Sequence, residues 1–217
     1  MRGRQSAETA EQTRHTILVA ALRIFARQGF EATGMRDIAV AAGTTHSLIR
    51  HHFGSKEGVW QAVVSEAFHE FALALRASAQ PSSTTSNEPS AQLQRVVQTF
   101  LRICARSPEI IQLLLHEGTE RSARLQYVMK QAEPLEQIVN PLLPYVQQQG
   151  DLRQFDNKSF VLYLITAGAA PFGLIAFSNE ILQANILSEE QTQYHIDRVL
   201  QTLFPPRNPD FRSTTLF

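Results

Sequence analysis

Between Ala41 and Glu57 the sequence reads AAGTTHSLIRHHFGSKE, which gathers three of the chain's seven histidines with Arg50 and Lys56. Three kinds of chemistry use such residues: metal ligation, acid–base catalysis, and recognition of an anion that needs hydrogen-bond donors. A metal site needs ligands that converge, but neighbours such as His51 and His52 leave a helix in different directions. No Asp or Glu sits one turn from them. Elsewhere, Glu66-x-x-His69 has the spacing of a di-iron bundle motif but occurs once. HEGTE (His116–Glu120) lacks the second histidine of a zinc protease. Cys104 is the only cysteine, so an internal disulfide and a cysteine-based zinc site are excluded. No nucleophile–base–acid constellation stands out. The reading is of a non-enzyme with no catalytic residue, no metal and no cofactor. What remains is a donor-rich polar face suited to phosphate oxygens and base edges.

The elements that must present that face follow from periodicity. Ile17, Leu18, Ala21, Leu22 and Phe25 recur at helical spacing up to Gly29, a left-handed stop, with Phe30 placed to fold back. A short helix is predicted over Met35–Ala42, capped by Thr33 or Gly34, with Asp37 in its first turn. Gly43 breaks it. A second short helix runs from Thr44 or Thr45 to about Phe53, with Leu48, Ile49 and Phe53 inward. Ser55 then caps a longer helix carrying Val59, Trp60, Val63, Val64, Ala67, Phe68 and Phe71. Two short helices around one glycine turn, with a support helix before them, form a helix-turn-helix whose second helix can enter the major groove.

The stretch from Thr13 to Trp60 resembles the DNA-binding domain of the TetR/AcrR family of bacterial transcriptional regulators. The likeness rests on the Ile17-Leu18, Ala21, Phe25 and Gly29-Phe30 helix, then Thr33, Ile38-Ala39, Ala42-Gly43, His51–Phe53 and Ser55–Glu57. It covers about the first quarter of the chain. The resemblance implies that Thr33 and the Thr44–Thr45 turn lie against the phosphate backbone, that His46 and Ser47 read base edges, and that His51 lies near the backbone. Arg50 stands where the family usually has a phosphate-contacting tyrosine, and Lys56 matches a phosphate-contacting lysine. Arg36 is placed to reach a neighbouring base or phosphate. Thr44 replaces a usual aliphatic residue and Trp60 a usual leucine. His52 is read as a packing residue. Arg50 and Lys56 are the charge carriers, since imidazole carries little charge at neutral pH.

The rest of the chain is helical by pattern: about Ala91–Arg106, Pro108–Glu117, Ser122–Gln149 interrupted by Pro134, Pro141 and Pro144, Asn157–Leu182 and Ser188–Phe204. Gln80–Ser90 is polar, low-complexity and loop-like. No alternating strand pattern appears. The expected architecture is all-α with about nine helices. A helix-turn-helix domain spans 1–57, a helical body 58–204, and a flexible tail 205–217. By the resemblance, the body binds a small-molecule effector of unknown identity and forms a homodimer through its last two helices. Gly168, Ala169, Ala170 and Gly173 would allow those helices to approach closely. Phe100, Cys104, His116, Arg124, Tyr127, Gln131 and Phe172 are candidates for the effector pocket.

Formal net charge is zero, yet residues 1–60 carry eight Arg/Lys against five Asp/Glu, a basic head on an acidic body. The N-terminus has no signal-peptide pattern. The apolar run Phe160–Phe177 has the length of a membrane span but is interrupted by Gly168, Pro171 and Gly173, and reads as a buried or interface helix. The expected protein is cytoplasmic, has no membrane partner, and binds double-stranded operator DNA as a repressor released by its effector. A helical enzyme with an acid–base or metal site in the body and a non-liganded architectural DNA-binding protein are the alternatives. A second Glu-x-x-His or a carboxylate pair would favour the enzyme, and neither occurs.

Overall fold

The apolar stripe of α1 (Arg2–Ala32) buries Ile17, Leu18, Ala21, Ile24 and Phe25 along one side. The structure, a computed structural model, describes residues 2–80, 86, 88–148, 152 and 155–205, and side chains from Ala10 onward. Gly29 interrupts α1 at φ 74°, ψ 174°, a backbone region open essentially to glycine alone. Phe30 then folds back and stacks on Phe25 with ring centroids 5.8 Å apart. A Cβ on Gly29 would lie 3.6 Å from His116 Nδ1, an ordinary contact, so the constraint is on the backbone and not on space. Gly29→Ala is expected to cost about 1–3 kcal/mol in urea unfolding; an unchanged midpoint would contradict a positive φ at this position.

Helices α2 (Met35–Ala41) and α3 (His46–Phe53) follow. Gly34 is the cap of α2, and its N–H donates to Asp37 Oδ2 at 3.1 Å. Gly43 turns the chain at φ 60°. Thr45 caps α3, its Oγ1 accepting the Leu48 N–H at 3.2 Å. Ile38, Ala39 and Ile49 fasten the pair to α1. Leu48, expected to point inward, is instead 36 % exposed. Successive residues on a helix are about 100° apart. With Ile49 directed fully into the core, Leu48 falls on the flank.

Helix α4 (Lys56–Ala79) begins at Ser55, whose Oγ accepts the Gly58 N–H at 3.0 Å. Its first half, Val59, Trp60, Val63 and Val64, joins the α1–α3 core; Phe71 and Leu75 join a second core in the body. One rod of about 36 Å therefore serves both. The first core also takes Leu113 and Val128 from the body.

The body consists of α5 (Pro89–Arg106), α6 (Pro108–Glu117), α7 (Ala123–Val139), α8 (Leu143–Gln148), α9 (Asn157–Tyr163), a π-helical stretch Leu164–Ala169, α10 (Ala170–Gly173), α11 (Ile175–Leu182) and α12 (Glu189–Leu203). The all-α expectation is met, and no strand occurs among the described residues. Pro134 lies inside α7 without ending it, whereas the break comes at 140–142 around Pro141. Pro144 is second in α8, where its missing N–H costs no helical bond. Asp156 caps α9; hydrogen bonds from Ser159, its backbone N–H first, hold the carboxyl below its ordinary value.

The apolar run Phe160–Phe177 is not one helix: the chain bends by 86° between Gly173 and Ile175. No single helix among the described residues is long and apolar enough to cross a membrane. The small residues expected to face a second copy face this chain's own core instead. A Cβ on Gly168 would come within 2.9 Å of Leu101 Cδ2, and one on Gly173 within 2.7 Å of Ile111 Cγ2. They bring α5 and α6 close. The Gly168 carbonyl in the π-helical stretch lies 2.8 Å from His195 Nε2 on α12. Most of the loop read at Gln80–Ser90, and all of the expected tail after Pro205, lie outside the described residues.

Candidate nucleic-acid interface

Because Ile49 is fully buried, the opposite side of α3 must face outward. Ser47 and His51, one turn apart, lie about 160° either way from Ile49 and are both exposed. Arg50 is exposed on one flank, and Leu48 on the other; His46 is exposed at the helix's first turn. The Arg50 guanidinium has no hydrogen bond or ion pair among the described residues. The same holds for Arg36, exposed on α2. Both cations are thus free to meet an external anion. His52 is half-buried, its ring against His51 and Phe53 at 5.7 and 5.9 Å.

The remaining candidates are engaged in building the face. Thr33 is buried and donates its hydroxyl to the Gly29 carbonyl at 2.7 Å. Thr44 is half-buried, with its N–H on the Ala39 carbonyl at 2.9 Å. Thr45 caps α3 as described. Lys56 Nζ donates to the Phe30 carbonyl at 2.9 Å and the Glu31 carbonyl at 3.3 Å, and sits 4.3 Å from the Phe30 ring centroid. An ammonium has three donors, so Lys56 fastens the end of α1 and keeps one donor in hand.

The opposite face of that junction is closed by the body. Arg124 of α7 lies 4.1 Å from the Phe30 ring centroid. Its Nε donates to both Glu117 carboxylate oxygens at 3.2 and 3.1 Å, and its Nη2 donates to Glu31 Oε1 at 3.1 Å. Trp60 meets Phe30 edge-on at 6.3 Å and Tyr127 at 5.9 Å. The Tyr127 hydroxyl lies 2.7 Å from Ser65 Oγ. Arg124, His116 and Tyr127, all proposed from sequence as effector contacts, therefore stand at the seam between head and body.

The family model described as "Bacterial regulatory proteins, tetR family" matches residues 17–63, the segment that builds this face. Residues 17–63 thus carry the DNA-binding domain of the TetR family. The chain is a DNA-binding transcriptional regulator. Over 150 residues it is 28 % identical to the HTH-type transcriptional regulator SrpR of Pseudomonas putida, covering 69 % of this chain and 68 % of that protein. It is 27 % identical over 153 residues to the HTH-type transcriptional repressor NicS of Pseudomonas putida KT2440, covering 68 % of this chain and 69 % of that one. A TetR-like regulator from Rhodococcus sp. RHA1 shares the fold at a TM-score of 0.63 and 19 % identity, over 87 % of this chain and 92 % of that one.

The body of the chain holds a cavity of about 130 Å³ among α4, α5, α6, α7, α9 and the π-helical stretch. Phe100 lines it; Cys104, His116, Arg124, Tyr127, Gln131 and Phe172 do not. Cys104 is fully buried on α5, and burial pushes its thiol pKa up, away from the reactive thiolate. Phe172 packs edge-on against His195 at 5.2 Å in the body core. The lining residues Phe68, Phe71, Val97, Val128 and Leu164 carried no distinguishing signal in sequence. Their helical spacing is that of any core residue. Glu66 of the Glu-x-x-His pair is taken up by Arg14, at 3.2 Å.

Proposed function

We propose that the chain is a homodimeric repressor that leaves its operator when a small molecule occupies the body cavity, and that it acts in the cytoplasm. The observation that carries this is the outer face of α3. It presents Ser47, His51, His46 and Arg50 to solvent while Ile49 anchors the helix beneath. On this reading His46 and Ser47 meet base edges, Leu48 offers an apolar group to a thymine methyl, and Arg50, Arg36 and His51 meet the backbone. Thr33, Thr44, Thr45 and Lys56 hold the head in the shape that makes those contacts, and Lys56 adds its remaining donor to a phosphate. The head is residues 1–57 and the effector-binding, dimer-forming body 58–204.

Phe177 and Ile181, one turn apart on α11, are each 65 % exposed, and Leu174, Leu182 and, on α12, Tyr194 are exposed as well. Those exposed apolar side chains on α11 and α12 support a dimer through the last helices. Two recognition helices must then reach successive major grooves, about 34–36 Å apart or a multiple of it. An effector that tilts α4, which runs from Lys56 to the cavity-lining Phe68, Phe71 and Leu75, would change that spacing. The name of NicS as a repressor favours the same sign of regulation here. Selection of bound duplexes from a random pool tests the reading. It is expected to return an inverted repeat with half-sites one or two turns apart; a single half-site, or no enriched sequence, would refute it.

A further inference from the structure

We infer that the body cavity takes an uncharged, apolar molecule about the size of one substituted aromatic ring. The inference rests on the reading of the chain as effector-responsive and names the class of effector. Its warrant is the cavity's size and chemistry. A cavity of about 150 Å³ lined by Leu, Ile and Phe stays dry and accepts benzene; this one is about 130 Å³ and walled by the same kinds of side chain. Drug-sized ligands occupy pockets of about 300–1,000 Å³, so a large multi-ring molecule does not fit.

Glu136 is the one lining residue with an ionisable or hydrogen-bonding side chain. It is exposed, and with Met129 it also borders the groove outside α7, so these two residues mark the mouth. The deep wall, Leu75, Val97 and Leu164, is buried and offers no donor or cation. A carboxylate ligand would lose its hydration there with nothing to replace it, and would pass Glu136 on entry. A sugar or nucleotide would strand its hydroxyls in the same way. A ring with small alkyl groups loses nothing and gains the contacts that the empty space lacks.

The wall also faces the right neighbours. Val128 lines the cavity and belongs to the head core. It lies one turn along α7 from Arg124, which clasps Phe30 and Glu31 of the head. An occupant that displaces this face of α7 acts on both the cavity and the seam.

The test is isothermal titration of the full chain with toluene, benzoate and benzylammonium, three probes of one ring that differ in charge. Toluene is expected to bind saturably, one molecule per chain, with the two charged probes weaker by about tenfold or more. Ala132→Leu fills the cavity from α7 and is expected to weaken toluene binding about tenfold or more. Ala132→Val, checked by its helical circular dichroism, gives a smaller loss and serves if the leucine variant does not fold. Equal or tighter binding of benzoate or benzylammonium would overturn the inference. So would toluene binding that neither variant changes. Release of duplex DNA is read separately. Toluene that binds without releasing duplex leaves the effector class standing and removes the release mechanism. Benzoate that releases duplex while toluene fails to bind keeps that mechanism and overturns the class.

Discussion

Arg50→Ala is expected to weaken binding to specific and non-specific duplex alike, by about 1.5 kcal/mol for each copy of the chain bound. It also lowers the slope of log affinity against log salt by about one per copy. The reason is local. The Arg50 guanidinium is exposed and has no partner among the described residues, so nothing inside the chain competes with a phosphate for it. Removing it costs the fold little, because it packs no core and caps no helix. Arg50→Lys keeps the charge but loses the planar fork, and is expected to recover the salt slope better than the affinity. Titrations of one duplex at several salt concentrations check both numbers. A variant with wild-type affinity and wild-type slope would mean that this side of α3 does not face DNA. Lys56→Ala differs in kind. Two of its donors hold the end of α1, so it lowers stability as well as DNA affinity.

Arg124→Ala destabilises the chain by about 3 kcal/mol. Glu117 is only 7 % exposed, and among the described residues its carboxylate is paired with Arg124. Truncating the arginine leaves a buried charge uncompensated and also strips one face of the Phe30 ring. The Glu31 arm of the same cluster is 82 % exposed on its carboxylate side, and Glu31→Ala should cost less than about 1 kcal/mol. Replacing both buried partners, Arg124→Met with Glu117→Leu, is expected to restore most of the lost stability, since the desolvated charge is then gone. Urea unfolding of the four proteins measures this. Should Arg124→Ala fall within about 0.5 kcal/mol of wild type, the seam would not be held by this cluster.

The head was largely legible in the sequence because each of its devices leaves a local signature. Gly29 and Gly43 mark a kink and a turn at positive φ, and Gly34, Thr45 and Ser55 cap the starts of α2, α3 and α4. Leu48 lies on the flank because Ile49, about 100° round the helix, takes the innermost position of α3, and the spacing of apolar residues over eight positions does not fix which of the two is innermost. Three prolines imply a kink or split in the long segment after Ser122 without fixing its place. Pro134 is accommodated within α7 while Pro141 sits at the break. The body's cavity and seam were hidden for a different reason. Arg124, Glu117, Phe30 and Lys56 are up to 94 positions apart in sequence, and nothing in their own neighbourhoods announces that they meet. Gly168 and Gly173 are small because helices approach closely there, and the neighbours they admit, Leu101 and Ile111, belong to the same chain.

The central claim is that the outer face of α3 reads base edges. Repeating the selection from a random duplex pool with His46→Ala and with Ser47→Ala tests it most directly. The expected result is that each variant loses sequence preference at one or two positions, placed symmetrically in both half-sites, while the spacing between half-sites stays that of the wild type. Identical preferences at every position for the wild type and both variants would contradict the claim, because α3 would then not be the element that reads the operator.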